Sequence, residues 1–173
     1  AAKGFVKSSA TFWPGRVAMN IPTIPMLSNS RPTVTGETSI AAKPLVSLVV
    51  PAYNEASILT QNLSELCHQM ELLEHEYRWE MVIVNDGSAD ESGALAEEFA
   101  RHRNNIRVLH HRKNFGLGEA FRTAFNYCRG DYIVTVDMDL SYSPDYIAKL
   151  LSAITKSGAK IVVASPYMAG GKI

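Results

Sequence analysis

The chain has 173 residues, 46% hydrophobic and 20% charged, with 17 basic and 17 acidic side chains. That composition fits one ordinary globular domain and excludes a wholly disordered chain. A formal net charge of zero provides no general pull toward nucleic acid or an anionic surface, so no nucleic-acid partner is expected. Apolar runs reach strand length only, short of the roughly eighteen residues of a membrane-crossing helix. The sequence starts at Ala1 rather than Met and is expected to be a fragment or a processed form. It shows no basic start followed by a long apolar core, so no secretory signal is expected. Cys67 and Cys128 lie far apart in amphipathic segments and are expected to be reduced, half-buried thiols.

Residues 1–43 carry Pro14, Pro22, Pro25 and Pro32 among many Ser and Thr, with no sustained period. They are expected to form a disordered or extended leader outside the domain, which then spans residues 44–173. "LVSLVV" (45–50) is a continuous apolar run ending at Pro51, as in a strand buried on both faces. Leu59, Leu63, Leu66, Met70 and Leu73 recur at helical spacing. "WEMVIVN" (79–85) is a second strand, and 90–103 a helix with acids at its start and bases at its end. A third strand, 106–110, precedes a helix over 116–129. A fourth strand, "YIVTVD" (132–137), precedes a helix over 144–158. Ser143 is the expected N-cap of that helix, Pro144 its first residue and Gly158 its stop. "KIVVAS" (160–165) reads as a fifth strand.

Alternating strands and helices predict an α/β fold, a three-layer sandwich around a mostly parallel sheet. Ligands of such sheets bind outside the carboxyl ends of the strands. "PAYNE" (51–55), "NDGSADES" (85–92) and the pair Asp137 and Asp139 all follow strands, so they share one sheet edge. Each alone is most simply a turn or a loop. Together they suit a nucleoside diphosphate carrying a leaving group, whose charge a divalent cation offsets. Mg²⁺ or Mn²⁺ prefers oxygen ligands and binds through one or two carboxylates plus phosphates. Asp139 is the expected direct ligand. Asp137 reaches the metal through water, or else a ribose hydroxyl. Asp86 and Glu55 are left to accept hydrogen bonds from base or ribose. His110, His111, Arg112 and Lys113 read as a solvated loop.

Five ordered segments over about residues 44–173 resemble family 2 glycosyltransferases of the GT-A fold. They are "LVSLVVPAYNEASIL", "MVIVNDGSADES", "NFGLGEAFRTAF", "GDYIVTVDMDLSYSPDYI" and "VVASPYMAGG". The likeness is greatest to the polyprenol-phosphate branch, such as dolichyl-phosphate mannosyltransferases. It implies that Pro51, Tyr53 and Glu55 line the nucleotide pocket and that Asp86, preceded by Val84, contacts the base. Asp137, Met138 and Asp139 would form the metal and diphosphate motif and the catalytic pair, with Ser141 as a further metal ligand. Gly116 and Gly118 would open a helix beside the nucleotide, although close packing alone would also explain them. Gly170 and Gly171 would begin an acceptor loop. The chain departs from the family pattern at Asn85, where an acid is common, at Ser141, where a Gln can serve, and at Pro166, where Arg is common. The family pattern continues past Ile173, so the resemblance implies a C-terminally truncated domain. The implied activity is metal-dependent, inverting transfer of a hexose from a GDP- or UDP-linked sugar to polyprenyl phosphate. The implied setting is cytoplasmic, at the cytoplasmic face of a membrane through segments beyond this sequence. The alternative is a truncated or inactive domain that binds a nucleoside diphosphate without transfer.

Overall fold

A computed structural model describes residues 42–165. The elements run β1 (Leu45–Ala52), α1 (Ala56–Leu72), β2 (Arg78–Asn85), α2 (Ser92–Ala100), β3 (Ile106–His110), α3 (Leu117–Phe125), β4 (Tyr132–Thr135) and α4 (Tyr146–Ser157). The strands form one sheet in the order β3-β2-β1-β4, and every pairing is parallel. Each connection passes through a helix, so all four carboxyl ends open on one edge.

Side-chain alternation makes the three layers. Val46, Leu48 and Val50 of β1, with Met81 and Ile83 of β2, face a core filled by Leu59, Leu63, Leu66 and Met70 of α1, Phe99 of α2, and Ile147 and Leu151 of α4. Val49, Val82 and Val84 face the other way, onto Ala120 and Ala124 of α3. The small alanines let α3 lie close to the sheet, which fixes where its first turn meets the carboxyl edge.

Pro51 sits inside β1 without breaking it. The Val49 carbonyl accepts the Val136 N–H at 3.0 Å, so odd-numbered β1 residues point their backbone groups at β4. The β4 ladder stops at the Val49–Thr135 pair, and a donor at position 51 has no strand opposite it.

Several expected boundaries move. The helix expected over 90–103 begins at Ser92, because Asp90 and Ser92 are used in loop contacts. The helix expected from 144 begins at Tyr146. Its N-cap is Asp145, without a side-chain cap bond, while the carbonyl of Ser143 accepts the Tyr146 N–H. Gly158 does close it, at φ 64.

The fifth strand is a correction: residues 160–165 have no regular structure. A β-prone run becomes a strand only by pairing with an edge. This one forms no ladder with β4, and Ile161 and Val163 are 79% and 70% exposed. An apolar cleft of about 710 Å³ lies between this segment, β4 and α4. Cys67 is buried and Cys128 half-buried, both as free thiols. No described helix is long and apolar enough to cross a membrane. Pro166, Gly170, Gly171 and the expected leader up to residue 41 lie outside the described residues.

Candidate functional site

The loops after β1 and β2 are tied together at the carboxyl edge. Asn54 adopts φ 55, a conformation that Asn tolerates. Its N–H donates to Ser88 Oγ at 3.0 Å, and its Oδ1 accepts the Ala89 N–H at 2.8 Å. The Glu55 N–H donates to Ser92 Oγ at 2.8 Å and the Ala56 N–H to Asp90 Oδ2 at 3.1 Å. A helix leaves its first N–H groups unsatisfied. Here the segment after β2 takes the Ala56 N–H, the first of α1, and the Glu55 N–H before it, so the position of Glu55 is fixed from a segment distant in sequence.

The loop after β3 closes over the second one. Gly87 has φ +68, and a Cβ there would lie 2.1 Å from the Lys113 carbonyl carbon. The glycine of "NDGS" therefore admits the backbone of Lys113. Beside it, Asp86 is buried. Its Oδ1 accepts the Phe115 N–H at 2.9 Å and faces His111 Nδ1 at 2.6 Å, while its Oδ2 accepts the Gly116 N–H at 2.7 Å. Burial pushes this carboxyl up, but the bonds from Phe115, His111 and Gly116 outweigh it and hold it below the usual range. An ionised Asp86 requires the proton on His111 Nδ1. Nε2 then meets the Thr123 hydroxyl at 2.8 Å. One expectation changes: His111 is not solvated, with its side chain 9% exposed. Asp86 takes three donors from the chain itself, two on Oδ1 and one on Oδ2. Gly116 is needed for its φ of +90. Close packing does not explain it or Gly118, since a Cβ at either would meet nothing within 4 Å.

After β4 the chain alternates strictly: Asp137 and Asp139 are exposed and Met138 is buried between them. The Met138 carbonyl accepts Asn62 Nδ2 of α1 at 2.7 Å. The Leu140 N–H returns to the Asp137 carbonyl at 3.1 Å, with Leu140 at φ 51. Ser141 donates its N–H to Asp139 Oδ1 at 2.9 Å and its hydroxyl to Oδ2 at 2.7 Å. These two bonds hold the Asp139 carboxyl below the usual range.

Glu55 lies within electrostatic reach of this turn. Burial raises its carboxyl first, and the charges of Asp139, Asp137 and Asp90 raise it further, against a lowering hydrogen bond from the Tyr53 N–H. None of the salt bridges among the described residues reaches Glu55, Asp137 or Asp139. The edge thus gathers negative charge from the ends of two neighbouring strands. Among the described residues no group of three or more His, Cys, Asp and Glu is close enough to hold a metal by itself. What the turn offers is two carboxylates and a hydroxyl. That all-oxygen set suits Mg²⁺ or Mn²⁺ with coordination completed by phosphate and water. Tyr53 is exposed and Pro51 half-buried at the same edge. Val84 and Met138 are buried, so their side chains are used in packing and only their backbones reach the edge.

Sequence reasoning missed His111, Asn62 and the Ser88–Asp90–Ser92 lattice. Asn62 had a readable signal. It is a polar residue on the stripe of Leu59, Leu63 and Leu66, where a buried amide must have a partner. His111 follows a strand on the same edge as the acids, which is the only signal it carried.

The family described as glycosyl transferase family 2 matches residues 47–173. The chain belongs to glycosyltransferase family 2. Among the curated members it is 34% identical, over 128 residues, to a dolichol-phosphate mannosyltransferase of Pyrococcus furiosus, covering 74% of this chain and 35% of that one. It is 32% identical to a polyprenol monophosphomannose synthase of Mycolicibacterium smegmatis, covering 73% and 46%. It is 36% identical to an undecaprenyl-phosphate 4-deoxy-4-formamido-L-arabinose transferase of Proteus mirabilis, covering 68% and 35%. This family 2 chain therefore spans between about a third and a half of these relatives' length. A solved mannosyltransferase from Pyrobaculum calidifontis, in complex with GDP-Man and Mn²⁺, superposes with a TM-score of 0.56 at 22% identity. That match covers 66% of this chain and 33% of the other, and it supports the GT-A fold.

Proposed function

We propose that residues 44–173 are the donor-binding part of an inverting glycosyltransferase, with residues 1–43 a leader outside it. The enzyme moves a hexose from a GDP- or UDP-linked sugar to polyprenyl phosphate. The observation that carries this reading is the placement of Glu55, Asp137 and Asp139 just past the ends of β1 and β4, neighbours in the sheet, with no described salt bridge to any of them.

In this reading Asp139 and Asp137 hold Mg²⁺ or Mn²⁺, with Ser141 as a third oxygen. When bound, the cation offsets the charge that grows on the diphosphate as its bond to the sugar breaks. Pro51, Tyr53 and Glu55 line the nucleotide from β1, Val84 and Asp86 from β2, and Met138 through its backbone. The Ser141 bonds keep Asp139 ionised and oriented. Asn62 keeps the turn at a fixed height above α1. A phosphate acceptor already carries an anionic oxygen, so its attack on the anomeric carbon needs no general base. The polyprenyl-phosphate acceptor is supported by what the relatives from Pyrococcus, Mycolicibacterium and Proteus are named for.

The test is thermal stability with GDP or UDP, with and without Mn²⁺. A ligand that binds only the folded state raises its melting temperature, by about 4 °C or more at a hundredfold excess over Kd. The shift is expected to require metal and to vanish in Asp139→Ala. A folded chain that no nucleoside diphosphate stabilises would sink the donor-site reading.

A further inference from the structure

We propose that His111 is a positioning residue for nucleotide recognition, an inference that rests on the donor-site reading above. Asp86 sits at the end of β2 and both of its oxygens are used. His111 Nδ1 and the Phe115 N–H share Oδ1, at 2.6 and 2.9 Å, and the Gly116 N–H takes Oδ2 at 2.7 Å. The loop from His111 to Gly116 is thus hung on one carboxylate, and His111 grips that carboxylate from the loop's other end. The grip is itself held. Thr123 Oγ lies 2.8 Å from Nε2, and the Phe115 ring stands edge-on to the imidazole at 5.3 Å between centroids. Thr123 belongs to α3, which the alanine-lined core presses against the sheet.

The chain Thr123–His111–Asp86 therefore connects a rigid helix to the loop bordering the second strand's end. A buried carboxylate with fewer donors relaxes toward other partners or takes up a proton. Either change moves Phe115 and Gly116, and with them the wall beside Asp86. The acidic turn after β4 makes none of these bonds. It is anchored separately, through Asn62 and Ser141. Removing the imidazole is therefore expected to harm recognition of the base and leave recognition of the diphosphate intact.

The experiment measures Kd by calorimetry for GDP, UDP and inorganic pyrophosphate, each with Mn²⁺, alongside circular dichroism to confirm folding. His111→Ala is expected to weaken the better-binding nucleotide about tenfold or more while pyrophosphate changes less than about twofold. His111→Asn places an amide N–H near the position of Nδ1 and is expected to recover most of the loss. If His111→Ala does not fold, Thr123→Val tests the same chain and is expected to show the same split at about threefold. An equal loss for pyrophosphate and nucleotide, or no loss in a folded variant, overturns the inference while the donor site stands. Wild-type protein that binds neither nucleotide overturns the donor reading, and this inference falls with it.

Discussion

Strand β2 carries a buried carboxylate near each end, and the two ends of the sheet use them differently. Near its start, Glu80 accepts Ser47 Oγ–H and the Arg129 N–H on one oxygen, both at 2.7 Å, and the Arg129 guanidinium on the other at 2.8 and 2.5 Å. That edge is closed, with its charge neutralised by the chain itself. Just past its end, Asp86 is equally well hydrogen-bonded, but the acids beside it are not neutralised. Glu55, Asp137 and Asp139 follow two neighbouring strands on that edge, and none of them has a described salt-bridge partner. Where a fold neutralises its own charge, the network serves the fold. Where it assembles like charges and leaves them open, a ligand of opposite charge is the simplest completion.

The largest effect should come from breaking the closed edge. Glu80→Ala removes the acceptor of the Ser47 hydroxyl proton and of the Arg129 guanidinium and leaves the Arg129 N–H only its longer bond to Ser47 Oγ, and it is expected to destabilise the chain by about 3 kcal/mol in urea unfolding. Acid should do the same in part. Burial raises the Glu80 carboxyl, but the bonds from Ser47 and Arg129 outweigh that and depress it. The folded state therefore binds fewer protons than the unfolded one. The Glu80 contribution is full above the ordinary glutamate value of 4.5 and is lost as pH falls through the depressed value. Glu80→Ala should flatten that part of the acid limb. A limb of unchanged slope would mean that Glu80 is not the group that titrates.

The same contrast explains what was legible beforehand. The strands, the helices and the parallel order follow from apolar runs and 3.6-residue spacing, because burial imposes that pattern directly on the sequence. Family membership was legible because five ordered segments resemble one family. The placement of acids after strands was legible for the same topological reason. The way they are held was not. His111 bonds a residue 25 positions away, and Asn62 one 76 positions away, so neither partner is local. The start of α1 is capped from the loop after β2, although Glu55 precedes it in sequence. The run at 160–165 failed for the opposite reason. Its composition suits a strand, but it adds no ladder to the four described strands.

A smaller and more selective effect is expected where the open edge is anchored to the core. Asn62→Leu removes the donor to the Met138 carbonyl, leaving a buried acceptor without its partner on an otherwise apolar stripe. The cost should be about 1–2 kcal/mol. The variant leaves every acid in place, so it separates charge from position. Calorimetry with Mn²⁺ and GDP or UDP should show weaker binding in a chain that remains folded. Unchanged affinity would mean that the turn after β4 keeps its shape without α1.

The smallest expected effect has the opposite sign and tests the open edge most directly. Burial and the charges of Asp139 and Asp137 raise the Glu55 carboxyl, so the ionised form is disfavoured by the folded state. For a raised acid the cost is present above the folded pKa and disappears as pH falls below the unfolded one. At neutral pH, Glu55→Gln is therefore expected to stabilise the ligand-free chain, by about 0.5 kcal/mol given partial solvent screening. The same change removes a carboxylate from the proposed pocket, so the stabilisation by nucleotide and Mn²⁺ should shrink. A variant that gains stability alone and loses ligand response shows strain held for binding, as in other sites where like charges are kept together. A loss of stability without ligand would place Glu55 with Glu80, as a carboxylate serving the fold, and the contrast between the two edges would fail.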